Sequence, residues 1–369
     1  MKVVGLTTST ADRKGRAGQR LVIGLAGPRV SEEERSFIRE VRPGGFVLFK
    51  RNVESAEQVR ELNAELRALL PKDLPPVRTV DQEGGLVQRV KEPATVWPPM
   101  RFVGNVGDPA FTRAVGAALG AEVRACGFDL DFAPVADVDS NPKNPVIGQR
   151  AFASQAREVA RHVAAFIEGM QGAGCAACAK HFPGHGDTSV DSHLDLPIVE
   201  KEPPDLDETE LVPFRAAVRA GVATVMTAHV VFPAWDEDRP ATMSRNIVEG
   251  ILRARLGFGG VIFSDDMEMK AVRGRFPLEL QLREASLAGV DSFLMCKELP
   301  LAHEAWEILV RLQEEEKRQE DAAIDAVKRW SALRERWLKD PQPQPPLSSL
   351  GSAEARDLAL RAVARGAQG

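Results

Sequence analysis

GCAACAKHFPGHGDTSVDSHLDLP, residues 174–197, changes character halfway along. The first part, CAACAKHF, is small and apolar and reads as a buried strand. From Lys180 to Pro197 the chain carries three of its six histidines (His181, His185 and His193) and the aspartates Asp187, Asp191 and Asp195. So many titratable groups among so few apolar ones cannot form a core element. The second part is therefore a structured loop at the surface, where binding and catalytic groups concentrate. Cys175 and Cys178 form a C-x-x-C inside the strand, but residues three apart in a strand point to opposite faces. No second pair stands at zinc-site spacing, so these two, like Cys126 and Cys296, read as ordinary buried thiols, with a redox pair as the alternative.

Working outward, short apolar runs of the same kind recur at 21–25, 46–49, 77–80, 130–133, 176–179, 224–227, 261–263 and 293–295. Helical patterns separate them. Ser31 with Glu34, Ser55 with Gln58, and Asp207 with Glu210 fit capping boxes, and Asp108-Pro109 fits an N-cap followed by proline at the first helical position. Val59, Leu62, Leu66 and Leu69 recur at helical spacing. Eight strand–helix units in succession predict an α/β fold of the (β/α)8, TIM-barrel type, a closed parallel barrel with helices outside. The rival is a doubly wound open sheet. Its dinucleotide-binding form has little support, because no G-x-G-x-x-G follows the first strand.

Composition agrees with one large globular domain. Of 369 residues, 44% are apolar and 27% charged, enough for a sizeable core. A net charge of −5 with no basic stripe argues against a nucleic-acid partner, and no apolar run approaches the ~20 residues that cross a bilayer. The basic N-terminus lacks an apolar signal region, so the expectation is a cytoplasmic protein with residues 1–16 a loose tail. The barrel is expected over 17–340, its last helical stretch (301–338) turning Trp306, Trp330 and Trp337 inward. PQPQPP at 341–346 then breaks the chain, and a short helix over 353–367 completes a C-terminal appendage, 341–369. Monomer and homodimer stay equally open.

In such a barrel, functional groups gather at the C-terminal ends of the strands. The third run ends in Asp81, followed by QEGGLVQR with Arg89; DVDSNPKNPVIGQR after the fourth ends at Arg150. The fifth ends in Lys180-His181, the sixth in His229, and the seventh in Ser264-Asp265-Asp266. The connection from Lys180 to Asp207 also exceeds the ~12–15 residues beyond which a structureless loop is usually functional. Singly, each residue has a plainer use: Asp81 or Asp265 as a helix cap, Arg89 and Arg150 as surface ion-pair residues, His181 and His185 as struts. For His185, and for Asp187 as a turn brace, the plainer use is the expectation; His162 and His303 lie in helical segments with no functional signal. Five successive strand ends delivering polar groups to one rim point to a site.

The stretches VDQEGGLVQR, DVDSNPKNPVIGQRAF, KHFPGHGDTSVDSH, VMTAHV and VIFSDDMEM resemble, in order and spacing, the motifs of glycoside hydrolase family 3. The likeness runs over about residues 18–295 and is closest to the single-domain bacterial β-N-acetylglucosaminidases. It implies a retaining hydrolase with a covalent glycosyl-enzyme intermediate and no cofactor or metal. By the match, Asp265 is the nucleophile, with Asp266 supporting it from behind; His193 is the acid/base and Asp191 its partner. An imidazole titrates near neutrality, and a carboxylate can orient it and stabilise its cation. The match assigns sugar recognition to Asp81, Arg89, Arg150, Lys180 and His181, with His229 and Met243 lining the site. Gln149 stands where many relatives carry an acidic residue.

The activity implied is removal of terminal β-linked N-acetylglucosamine from small peptidoglycan fragments. A phosphorylase is the second reading, since a neutral histidine would not repel an incoming phosphate. A metal-dependent hydrolase using His181, His185, His193 and Asp265 is the third, and a sugar-binding protein without catalysis the fourth.

Overall fold

A computed structural model describes residues 9–189 and 196–366. Its centre is a closed barrel of eight parallel strands in chain order: β1 Leu21–Gly24, β2 Gly45–Leu48, β3 Val77–Val80, β4 Leu130–Asp131, β5 Ala176–Phe182, β6 Thr224–Thr227, β7 Val261–Asp266 and β8 Ser292–Met295. β1 pairs with both β2 and β8, which closes the ring. Each of the eight expected apolar runs is a barrel strand, and the open-sheet alternative is excluded.

Side-chain alternation divides the core into two layers. Val22, Val47, Ala176, Cys178 and Phe263 fill the barrel, whereas Leu21, Ile23, Phe46, Leu48 and Ala177 pack outward against the helices. Cys175 falls in the outer layer and Cys178 in the inner one, so the C-x-x-C straddles the sheet; all four cysteines are free and buried. Down the barrel axis, Phe132 meets Phe263 edge-on at 5.3 Å and Phe263 meets Trp330 at 5.7 Å between ring centroids. Trp330 comes from the helix Lys317–Arg334 and stoppers the barrel at the end opposite the loops. Trp306 is also buried, and Trp337 half-buried.

Of the expected caps, those at Ser31 and Asp108 form as read and the one at Asp207 does not form. The Ser55–Gln58 box forms by half, Gln58 Oε1 accepting the Glu54 amide instead of that of Ser55. Ser31 and Glu34 form both bonds of a capping box, Ser55 accepts the Gln58 amide, and Asp108 accepts the Ala110 amide ahead of a helix that begins with Pro109. Asp207 does not cap. It lies within the helix Pro203–Glu208 and pairs with Arg215 and Arg255, while Glu210 turns inward to Lys201.

One boundary also changes. Residues 10–16, expected in the loose tail, belong to the helix Thr10–Gln19, started by a Ser9–Asp12 capping box. That helix is tied to the C-terminal helices by Arg16, which reaches Gln313 at 3.0 Å and Glu320 at 3.2 Å, and by the Lys14 carbonyl, which accepts from Trp306 Nε1 at 3.1 Å. The segment after 340 is likewise fastened to the barrel. Arg124 donates to the carbonyls of Gln342 and Pro343, Gln344 donates to the Arg124 carbonyl, and the Gly351 amide donates to buried Glu122. Proline removes backbone donors, so this stretch is held through its carbonyls and glutamine amides rather than by pairing as a strand.

Trp330→Ala should open a cavity between the barrel floor and its stopper. The expected loss is about 3–5 kcal/mol, read as a lower midpoint in urea unfolding at an unchanged slope.

Candidate active site

The loop mouth of the barrel holds a cavity of about 270 Å³ whose lining includes Asp81, Glu83, Arg89, Arg150, Lys180 and Asp265. Asp81 follows β3 directly. A two-stranded hairpin, Gln82–Gly84 with Val87–Gln88, then turns the chain back. Gly84 and Gly85 carry φ of +94° and +59° in the turn, and a side chain on Gly84 would meet the Pro98 carbonyl at 2.8 Å, so the paired glycines of VDQEGG are a backbone requirement. Gln82 Oε1 accepts the amides of Arg89 (2.8 Å) and Val90 (3.0 Å). That clamp brings Arg89 to 3.3 Å from Asp81.

Lys180, at the end of β5, is buried and donates to Asp81 at 2.9 Å and Glu83 at 2.5 Å. Arg150 grips Glu83 with two bonds of 2.8 Å, the paired geometry that a guanidinium offers a carboxylate. Burial would push the Glu83 carboxyl up, but Arg150 and Lys180 outweigh it and hold it well below the ordinary carboxylate range. Burial would likewise strip the proton from Lys180; Asp81 and Glu83 instead keep it charged. Glu83 is a residue that motif reading passed over, although it lies within VDQEGG. Its partners come from sequence positions too distant to show the pairing.

His181 is oriented by a second overlooked carboxylate, Asp137 from the loop after β4. Asp137 accepts His181 Nδ1 at 2.7 Å and the backbone amides of His181 (3.2 Å) and His185 (2.7 Å). This leaves Nε2 toward the cavity, 3.5 Å from Arg150. The Lys180–His181 peptide is cis, and both side chains line the cavity. His185 holds the turn, its Nδ1 at 2.9 Å from Thr188 Oγ1 and its carbonyl accepting from Asn144 at 2.8 Å, but beyond the expected strut role it also lines the cavity. Asp187 braces the same turn through Ser140 (2.9 Å) and Lys201 (3.3 Å), and Lys201 also holds Glu210 at 2.6 Å. His193 and Asp191 lie outside the described residues.

Asp265 closes the ring from the end of β7. Burial raises its carboxyl, yet His181, His229 and the Asp266 backbone N–H, bonded at 2.8 Å, bring it below the ordinary range. Three expectations are corrected here, those for His229, Asp266 and Met243. His229 does not line the cavity: it is buried, with Nδ1 at 3.0 Å from Thr242 Oγ1 and Nε2 at 3.1 Å from the Asp266 carbonyl, so it supports Asp265 from beneath. Asp266, expected behind the nucleophile, does line the cavity. The strand end departs from regular pairing between Phe263 and Asp266, so simple alternation does not dictate where Asp266 points. Met243 is buried away from the cavity, whereas Met226 and Met269 contribute to its wall; Gln149 is exposed. Among the described residues, no group of three or more His, Cys, Asp or Glu side chains is arranged to hold a metal ion.

The sequence profile described as "Glycosyl hydrolase family 3 N terminal domain" matches residues 10–329. A β-hexosaminidase of Nitrosomonas eutropha is 38% identical over 290 residues, covering 77% of this chain and 82% of that protein. A β-hexosaminidase of Xylella fastidiosa is 42% identical over 284 residues, covering 75% and 83%. Among solved structures, a family 3 β-N-acetylglucosaminidase from Paenibacillus sp. superposes with a TM-score of 0.90 at 37% identity, over 96% of this chain and 68% of that one. NagZ from Neisseria gonorrhoeae in complex with N-trifluoroacetyl-D-glucosamine gives 0.76 at 31% identity, over 94% and 98%.

Burial, and then the proximity of His181, push the His185 imidazole down to about 4 from its ordinary 6.5. The unfolded chain therefore binds this proton more readily than the folded one, and the folded state loses stability as pH falls from 6.5 to about 4. His185→Gln, measured against wild type by urea unfolding at a series of pH values, should flatten that part of the profile by on the order of 2 kcal/mol.

Proposed function

Since the chain belongs to glycoside hydrolase family 3, we propose that it is a retaining, exo-acting β-N-acetylglucosaminidase that releases terminal β-linked N-acetylglucosamine. The observation that carries this reading is Asp265: an ionised carboxylate at the end of a barrel strand, opening on the same small cavity as Asp81, Arg89, Arg150, Lys180 and His181. A cavity of about 270 Å³ suits one sugar unit rather than a chain, in keeping with removal of a terminal residue. Lys180 and Arg150 present fixed donors and Asp81 a carboxylate acceptor, the mixture that sugar hydroxyls require. The hexosaminidase names borne by the relatives support the N-acetylated sugar as the substrate class.

In the proposed first step, Asp265 attacks the anomeric carbon while His193 gives its proton to the departing oxygen, forming a glycosyl ester and freeing the aglycone. In the second, His193 takes a proton from water, the hydroxide attacks the same carbon, and Asp265 leaves as a carboxylate. Asp191 orients His193 and stabilises its cation. Asp265 needs no proton of its own, which agrees with its held-down carboxyl. Peptidoglycan fragments and a cytoplasmic setting complete the proposal; four free, buried cysteines suit a reducing compartment. Among the described residues, no helix is long and apolar enough to cross a membrane.

Asp265→Asn should lower turnover of an aryl N-acetyl-β-glucosaminide by about 1,000-fold or more, since it removes the nucleophile, while circular dichroism stays unchanged. Full activity in that variant would reject the assignment. Wild type should also prefer this substrate to the matching aryl β-glucoside; the opposite preference would overturn the N-acetyl specificity.

A further inference from the structure

Three carboxyl groups cluster at the end of β7, and the fold treats them unequally. Asp265 accepts the Asp266 amide and lies in the field of His181, His229 and Lys180. Glu268 is capped by the amides of Lys297 (2.5 Å) and Glu298 (2.8 Å). Among the described residues Asp266 accepts one amide, from Glu268 at 3.0 Å on Oδ1, and its carboxyl makes no direct ion pair, Lys297 acting on it only through its field. It nonetheless faces the cavity.

The groups around Asp266 are Asp265 and Glu268 on its own segment and Cys296 and Lys297 after β8. His229 meets its backbone carbonyl, and His181 stands with it on the cavity wall. Burial, Glu268 and Asp265 push the Asp266 carboxyl up to about 7, the Glu268 amide and Lys297 pulling the other way. Where two neighbouring carboxyls are driven apart in this way, the ionised one serves as nucleophile or acceptor and the neutral one can donate.

We propose that Asp266 meets the bound glycoside as a carboxylic acid and donates a hydrogen bond from Oδ2 to an oxygen of the sugar held against Asp265. This role rests on the hydrolase reading above and adds to it a second carboxyl that touches the substrate. A carboxylate could not substitute, because an ionised Asp266 only accepts and places another negative charge beside the nucleophile. No proton is transferred. The acid is a fixed donor, so its ionisation weakens sugar binding on the alkaline side, in addition to the loss of the His193 proton that limits turnover there.

Calorimetric titration with N-acetylglucosamine between about pH 6 and pH 9 reads the donor without requiring turnover. Wild type should bind progressively more weakly as Asp266 ionises, approaching about tenfold per pH unit. Asp266→Asn, whose amide donates at every pH, should lack this decline; Asp266→Ala should bind about tenfold more weakly already at the acid end. The alkaline limb of the kcat/KM profile on an aryl N-acetyl-β-glucosaminide should shift in Asp266→Asn, leaving the part set by His193.

The proposal falls if wild-type binding is flat with pH, if Asp266→Asn keeps the wild-type decline, if the Asn and Ala variants are equally impaired, or if the sugar does not bind. Turnover with flat binding would remove Asp266 and leave the hydrolase; pH-dependent binding without turnover would do the reverse. If Asp266→Ala fails to fold, the comparison of wild type with Asp266→Asn decides.

Discussion

The carboxylate of Glu83 sits out of water with one ammonium and one guanidinium upon it, and the mouth of the barrel is built around that contact. Lys180 comes from the fifth strand, Arg150 from the loop after the fourth, and Glu83 from a hairpin after the third. A buried ion is tolerable only with its partners in place, and removing one leaves several kcal/mol of uncompensated charge. The network therefore holds three separate connections in register. It also presents fixed charge to the cavity, so a sugar entering it would meet donors and acceptors that need no rearrangement.

A second set of contacts positions the opposing wall. Asp137 takes three donors from the segment His181–His185, and Asn144 takes the His185 carbonyl, so the start of the long loop is anchored to the connection after β4. Asp187 and Glu210, both bound by Lys201, tie the two sides of the undescribed stretch 190–195 to each other. The described residues on either side of that stretch are thus held to the connection after β4 and to each other. Beneath the site, His229 and the aromatic column ending at Trp330 give β7 a rigid bed.

Much of this was legible in the chain itself. Eight short apolar runs became eight barrel strands because alternation and burial act locally, within a few residues. The polar groups at their ends met at one rim because parallel strands all point the same way. That rule brought Asp81, Arg89, Arg150, Lys180, His181 and Asp265 to one rim, and the family resemblance, not the rule, singled them out from His229 and Asp266. The Ser9–Asp12 cap was equally readable in TSTAD, but the helix it starts is stabilised by Glu320 and Trp306, far along the sequence. Asp207 showed the reverse failure: its local cap signal lost to arginines that only folding brings near.

What the sequence determined on its own is the barrel, its eight strands and the roster of polar groups at their C-terminal ends, because these depend on periodicity and strand direction. What tertiary structure decided is which of those groups pair and which face the cavity. Glu83 and Asp137 entered the site, His229 withdrew beneath it, and Asp266 turned from a supporting position to the wall. The reason is physical. A side chain's charge state and direction depend on partners contributed by other strands and on irregular pairing at the strand end, and neither is encoded in the few residues around it.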